Sequence, residues 1–151
     1  MRSRTLLAAM ALWGLASAGE VLWAPSFEAG MRRAKEKNLP TLVDLYTDWC
    51  GWCKRLDADV FSTAQVKAML AKDLVGIKLN PEKDRKNGEK FKVEGFPTVV
   101  FTDPDGKELH RVVGYLPPAK FVAEMKKAIE LFKEQTKPKV QEVPAAPPKT
   151  E

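Results

Sequence analysis

The sequence predicts an α/β fold, a central mixed sheet flanked by helices, and three observations carry that expectation. Short apolar runs of strand length at 41–47, 74–79 and 98–102 alternate with segments whose apolar residues recur at helical spacing. Helical crossovers between the early strands require parallel pairing. Asp103-Pro104-Asp105-Gly106, set between two strand-like runs, adds an antiparallel hairpin, with the proline presetting one dihedral of the turn.

Each element has its own residues. Ser26 is placed to cap a helix on which Phe27, Met31 and Ala34 share a face; Lys35 and Lys37 suit its negative end, and Asn38 and Pro40 stop it. The run from Thr41 to Thr47 reads as a strand covered on both faces, with Asp44 as its one charge. A helix should open at the cysteines, Cys50 and Cys53. Ser62 with Gln65 forms a capping box for a further helix bearing Val66, Met69 and Leu70. Leu74 to Leu79 is a second buried strand, ended by Asn80-Pro81, and a short polar helix is expected over 85–93. Strands at 98–102 and 107–113 flank the hairpin turn. Pro117-Pro118 opens a last helix with Phe121, Val122, Met125, Ala128, Ile129 and Phe132 at helical spacing. Val21 to Trp23 is a candidate short first strand.

Composition limits the function classes. A chain of 151 residues with 44% hydrophobic and 30% charged residues is a single globular domain, not a disordered chain, a fibrous repeat or a multi-span membrane protein. The formal charge of +5 includes Arg2 and Arg4, which belong to an expected leader; without them 23 cationic side chains face 20 anionic ones, or +3. No dense Lys/Arg run interleaved with aromatics occurs, so nucleic acid is not an expected partner.

Both ends read as lying outside the fold. Arg2 and Arg4 precede an apolar run from Leu6 to Leu15, and Ala16-Ser17-Ala18 supplies a small-x-small cleavage pattern. The apolar run is about half the roughly 20 residues of a spanning helix. Residues 1–18 are therefore expected to be a cleaved signal peptide, leaving a chain without stable membrane insertion in the bacterial periplasm; an uncleaved anchor and a eukaryotic secretory route are the alternatives. Residues 136–151 hold Pro138, Pro144, Pro147 and Pro148 with little to bury and read as an extended tail. The expected folded domain is 19–135.

The chemistry rests on Cys50-Gly51-Trp52-Cys53, which follows a buried strand and should open a helix. Helix N-termini carry unsatisfied N–H groups and about half a positive charge, which stabilises a thiolate. Cys50 should sit exposed in that field, with Cys53 one turn inside, within reach of a disulfide and more buried. The asymmetry makes Cys50 the attacking thiol and Cys53 the resolving one. A structural disulfide closing so small a loop would contribute roughly 2 kcal/mol. Zinc needs four ligands and the chain has one histidine, His110, beyond the two thiols; haem attachment needs histidine where Lys54 stands. No metal and no cofactor is expected. Asp44 in a core strand costs several kcal/mol unless paired or protonated. Its expected use is as a proton acceptor of raised pKa near Cys53, the alternative being a loop cap or an edge position. Lys78, on the neighbouring strand, is either its partner or a snorkelling surface lysine.

The stretch Leu42-Val43-Asp44-Leu45-Tyr46-Thr47-Asp48-Trp49-Cys50-Gly51-Trp52-Cys53-Lys54 resembles the active-site segment of the thioredoxin-like family. Val93-Glu94-Gly95-Phe96-Pro97-Thr98 resembles its cis-proline loop, and Val113-Gly114 its following glycine turn. The resemblance covers about Phe27 to Phe132 and is nearest to secreted members and to the soluble C-terminal domain of transmembrane thiol:disulfide interchange proteins. It implies a thioredoxin fold, a Cys50–Cys53 disulfide cycling with the dithiol, and Asp44 with Lys78 as the buried proton-handling pair. It further implies that Pro97 is cis and faces the cysteines, that the backbone of Phe96 receives an extended substrate strand, and that Trp49, Trp52, Phe96 and Gly114 line the docking surface; core packing is the alternative for Trp49 and Phe96. Thioredoxin carries Gly-Pro between its cysteines, and the oxidising relatives carry His where this chain has Trp52. Lacking that histidine, the chain leans towards a reductant.

The expected function is that of an extracytoplasmic thiol–disulfide oxidoreductase reducing protein disulfides and acting as a monomer; the resemblance implies that a membrane electron donor recycles it. A disulfide oxidase or isomerase, and a non-catalytic binding module with the disulfide as a staple, are the alternatives.

Overall fold

In the computed structural model, which describes residues 21–137, Ser26 caps helix α1 (Phe27–Lys37) by accepting the Ala29 N–H at 3.1 Å. Asn38 ends α1 in the left-handed region at φ 50°, a conformation asparagine tolerates better than most residues. Strand β1 (Thr41–Leu45) is buried at all five positions. Helix α2 (Gly51–Leu56) runs into a π-helical turn over Asp57–Phe61, and α3 (Ala64–Lys72) comes next. Strand β2 (Val75–Leu79) leads to α4 (Arg85–Gly88), a 3₁₀ turn over Glu89–Phe91, the hairpin of β3 (Thr98–Thr102) and β4 (Glu108–Val113), and α5 (Pro118–Thr136). The leader expected at 1–18 lies outside the described residues, as does the tail beyond Lys137; α5 extends through Thr136.

The sheet order is β2-β1-β3-β4. β1 and β2 pair in parallel, as a helical crossover requires, with Asp44 opposite Lys78. β3 runs antiparallel to β1, so the antiparallel part of the sheet reaches its centre and is not confined to the hairpin edge.

Period-two alternation sorts the strand side chains into two layers. Leu42, Val99 and Phe101 pack with Leu56, Val60, Phe121 and Met125 from α2, the π turn and α5. Val43, Leu45, Val100 and Ile77 pack on the opposite face with Phe27 and Ala34 of α1 and with Phe91. Gly30 lets α1 cross β2 closely, since a Cβ there would overlap Cγ1 and Cδ1 of Ile77. Asp44 shares the face of Leu42, which puts a carboxyl group beneath α2.

Two local expectations are corrected. Ser62 does not cap α3: its hydroxyl donates to the Ala58 carbonyl and closes the π turn, while Thr63 accepts the Val66 N–H at 3.4 Å. The π turn, with Ser62 N–H bonded to the Asp57 carbonyl, lengthens the preceding helix and moves the cap on by one residue. Val21 to Trp23 is not a strand; the one strand-type pairing here among the described residues is an isolated parallel bridge from Ala24 to Ile77. Trp23 instead turns its indole towards Gly76 and stacks edge-on with Phe61 at 5.1 Å.

Candidate active site

β1 delivers the chain to a tight turn in which the Cys50 N–H bonds to the Thr47 carbonyl at 3.3 Å, and α2 starts there. Cys50 is the N-cap residue of α2: its sulfur accepts the Cys53 N–H at 3.1 Å, one of the donors a helix start leaves unsatisfied. The two cysteines are joined in a disulfide with Cα atoms 5.3 Å apart. A sulfur that leaves as a thiolate from this position keeps both that N–H and the positive end of the helix.

The expected difference in exposure between the two cysteines is absent. Cys50 is 5% exposed and Cys53 4%. In the disulfide Cys50 folds back onto the helix start, and two indoles occupy the surface: Trp49 at 68% and Trp52 at 56% exposure.

Asp44, 1% exposed, lies below α2. Its Oδ2 accepts from Lys78 Nζ at 3.0 Å, so the register Asp44–Lys78 becomes an ion pair. The same ammonium donates to Asp57 Oδ1 at 2.6 Å and stands 4.9 Å from the Tyr46 ring centroid and 5.2 Å from that of Trp23. Lys78 is therefore neither a surface lysine nor the partner of one carboxylate only. Burial pushes the Asp44 carboxyl up to about 6 against the pull of Lys78, and the negative charge of Asp57 adds to the rise. Burial alone would lower the proton affinity of Lys78, but Asp44 and Asp57 together hold it above the ordinary lysine value. Oδ1 of Asp44 has no hydrogen-bond partner among the described residues. A buried carboxyl that titrates near neutrality and keeps one free oxygen is equipped to take a proton.

Around the disulfide stands an aromatic rim. Trp49 packs edge-on to Phe96 at 5.9 Å and donates from Nε1 to Glu82 at 3.0 Å. Trp52 leans on Tyr115 at 5.5 Å, with the Arg55 guanidinium 5.7 Å from the Trp52 ring and 5.9 Å from Tyr115. The Phe96–Pro97 bond is cis, and the Gly114 N–H donates to the Pro97 carbonyl at 2.8 Å with Gly114 at φ 83°, where a side chain would be strained. Neither the N–H nor the carbonyl of Phe96 has a partner among the described residues. Core packing accounts for part of Phe96, which is half-buried against the α1 layer, and not for Trp49.

The structure thus brings Cys50, Cys53, Trp49, Trp52, Phe96, Pro97 and Gly114 to one end of the sheet, with Asp44 and Lys78 beneath. Sequence reasoning missed Asp57, Tyr115 and Arg55. Asp57 follows Cys53 by four residues, the spacing that puts two side chains on one helical face, and that was its available signal. No group of three or more His, Cys, Asp or Glu residues able to hold a metal occurs among the described residues.

A mixed four-stranded sheet flanked by helices, with a Cys-x-x-Cys disulfide at a helix start and a cis-proline loop at the same sheet end, defines the class of thioredoxin-fold proteins. The chain belongs to the thioredoxin-like domain family, whose model matches residues 27–129. It is 35% identical over 106 residues to the thiol:disulfide interchange protein DsbD of Yersinia pestis, a match covering 65% of this chain and 17% of that protein. The chain thus spans about a sixth of the length of that relative. Among solved structures, the DsbH oxidoreductase superposes with a TM-score of 0.65 at 23% identity, over 86% of this chain and 96% of that one. A thioredoxin from Thermus thermophilus gives 0.65 at 21% identity, over 72% and 87% respectively. These two likenesses are of fold.

Proposed function

We propose that the protein is an extracytoplasmic thiol–disulfide oxidoreductase that reduces disulfides in other proteins. The observation that carries the reading is the Cys50–Cys53 disulfide at the start of α2 above the buried Asp44–Lys78 pair. In the reduced enzyme the Cys50 thiolate attacks a substrate disulfide, forms a mixed disulfide and releases one substrate sulfur as thiolate. Cys53 gives its proton to Asp44, attacks Cys50 and expels the second substrate thiolate. Two electrons pass to the substrate and the Cys50–Cys53 disulfide re-forms. The unpartnered backbone of Phe96 receives an extended segment of substrate, and Trp49, Trp52, Pro97 and Gly114 line the contact.

A membrane electron donor returns the disulfide to the dithiol, a role supported by the likeness to an interchange protein. The leader over 1–18, the folded unit over 19–135 and the Pro-rich tail beyond it belong to the same reading, and so do the periplasmic location and action as a monomer. The test is the reduction potential of the pair, measured by equilibration with glutathione or dithiothreitol. A value near −270 mV, about that of thioredoxin, is expected. A value near −120 mV, about that of a strong disulfide oxidant, would reverse the direction of electron flow. A disulfide that fails to equilibrate would leave only a staple.

A further inference from the structure

We infer that the proton taken from Cys53 leaves the protein by a back route, through Lys78 and Asp57 into a recess separate from the substrate-docking rim. This rests on the dithiol chemistry proposed above. During resolution a docked substrate covers the aromatic rim, while Asp44, buried beneath α2, has no direct exit. Lys78 touches both Asp44 at 3.0 Å and Asp57 at 2.6 Å, and side-chain exposure rises along that line from 2% to 22% to 45%.

The line opens into a recess of about 320 Å³ lined by Val21, Trp23, Asp57, Phe61, Ser62, Lys67 and Lys78. None of these residues belongs to the docking rim. The rings of Trp23, Tyr46 and Phe61 lie within 4.9–5.7 Å of the Lys78 ammonium and hold it between the two carboxylates.

The relay conserves charge and atoms. Lys78 passes one proton to the Asp57 carboxylate and takes the proton of the Asp44 carboxyl, and Asp57 then releases a proton to water in the recess. One proton has moved from Asp44 to solvent, and Lys78 is an ammonium before and after. The charged groups facing the line are Asp44 from β1, Lys78 from β2, Asp57 from the π turn and Lys67 from α3. Asp57 is therefore a positioning and relay residue acting through Lys78, and Trp23 is a wall of its outlet.

Single-turnover exchange of the reduced full chain with a labelled disulfide peptide separates attack from resolution, with attack read alone in a Cys53→Ser background. In Asp57→Asn the ratio of the resolution rate to the attack rate is expected to fall about tenfold, less than the loss of a direct general base. Acetate, a small carboxylate that the recess admits, should restore the ratio in Asp57→Asn and leave the wild type as it was; Asp57→Glu should keep the ratio. Ser62→Trp, which puts an indole in the outlet and spares all three charged groups, should lower the ratio too, and it carries the test if Asp57→Asn does not fold. An unaltered ratio in these variants, or a loss in Asp57→Asn that acetate does not repair, would overturn the back route while leaving the exchange chemistry intact. A wild type that performs no exchange would overturn the proposed function itself.

Discussion

Replacing Asp44 by asparagine should make the oxidised protein more stable at neutral pH, because the wild type buries a carboxylate that its surroundings solvate less well than water does. The carboxyl titrates near 3.8 when unfolded and at about 6 when folded, a value that already includes the attraction of Lys78. Linkage fixes the sign. Between these two values the folded state binds more protons than the unfolded one, so wild-type stability falls as pH rises through the window and stays lower above it. At about 1.4 kcal/mol per pH unit the difference amounts to about 3 kcal/mol. Asparagine removes it, and Lys78 keeps Asp57 at 2.6 Å, so no charge is stranded. The gain should be near zero at about pH 3.5 and about 3 kcal/mol at about pH 7.5, a rise in Tm of roughly 10 °C for a folded unit of this size. Urea titrations of both oxidised proteins, monitored by tryptophan fluorescence at the two pH values, measure it. A gain independent of pH, or a loss at the higher pH, would refute the reasoning, the latter by showing that the ion pair outweighs the cost of burial.

Two further substitutions test the site and its support. Trp52→Ala removes the indole that leans on Tyr115 and stacks under Arg55 and should cost about 1 kcal/mol or more of docking energy. The KM for a protein disulfide should then rise while the rate with dithiothreitol holds; a matching loss with dithiothreitol would place Trp52 in the chemistry instead. Gly30→Ala drives a Cβ into Ile77 where α1 crosses β2 and should lower stability by roughly 1–3 kcal/mol. An unshifted urea midpoint would mean that the helix retreats from the sheet at no cost.

Residues alone reveal the features that local rules govern. Ser26, Asn38 and Pro118 mark helix ends through their own side chains and rings, and each stands where a helix begins or stops. The buried runs at Thr41–Leu45 and Val75–Leu79 were legible because a strand covered on both faces has no polar side to hide. The antiparallel pairing of β3 with β1 was not legible, since it depends on where the loop before Pro97 returns the chain. Ser62 misled because a capping box assumes a plain helix upstream, whereas a π turn stood there. Cys50 and Cys53 stood out by spacing, but their equal burial was hidden, because it depends on how the turn after β1 folds Cys50 back onto the helix start. Asp57 was missed because its ion pair is with a lysine 21 positions away in sequence.

The π turn over Asp57–Phe61 gives the helix below the site slack in its residue count. A π turn is an α-helix holding one residue too many, and the wider turn absorbs that residue, so the chain beyond it leaves at nearly the angle an α-helical turn would give. Deleting exposed Ala58 would let the ladder close as an ordinary α-helical turn, with the downstream chain keeping nearly its place about the axis. The cysteines would stay at the helix start, and Val60 and Phe61 would keep their layer with Trp23 and Phe121. The stretch is therefore permissive of loss as well as of exchange at Ala58, whereas a deletion in a plain α-helical turn would rotate everything beyond it by about 100°.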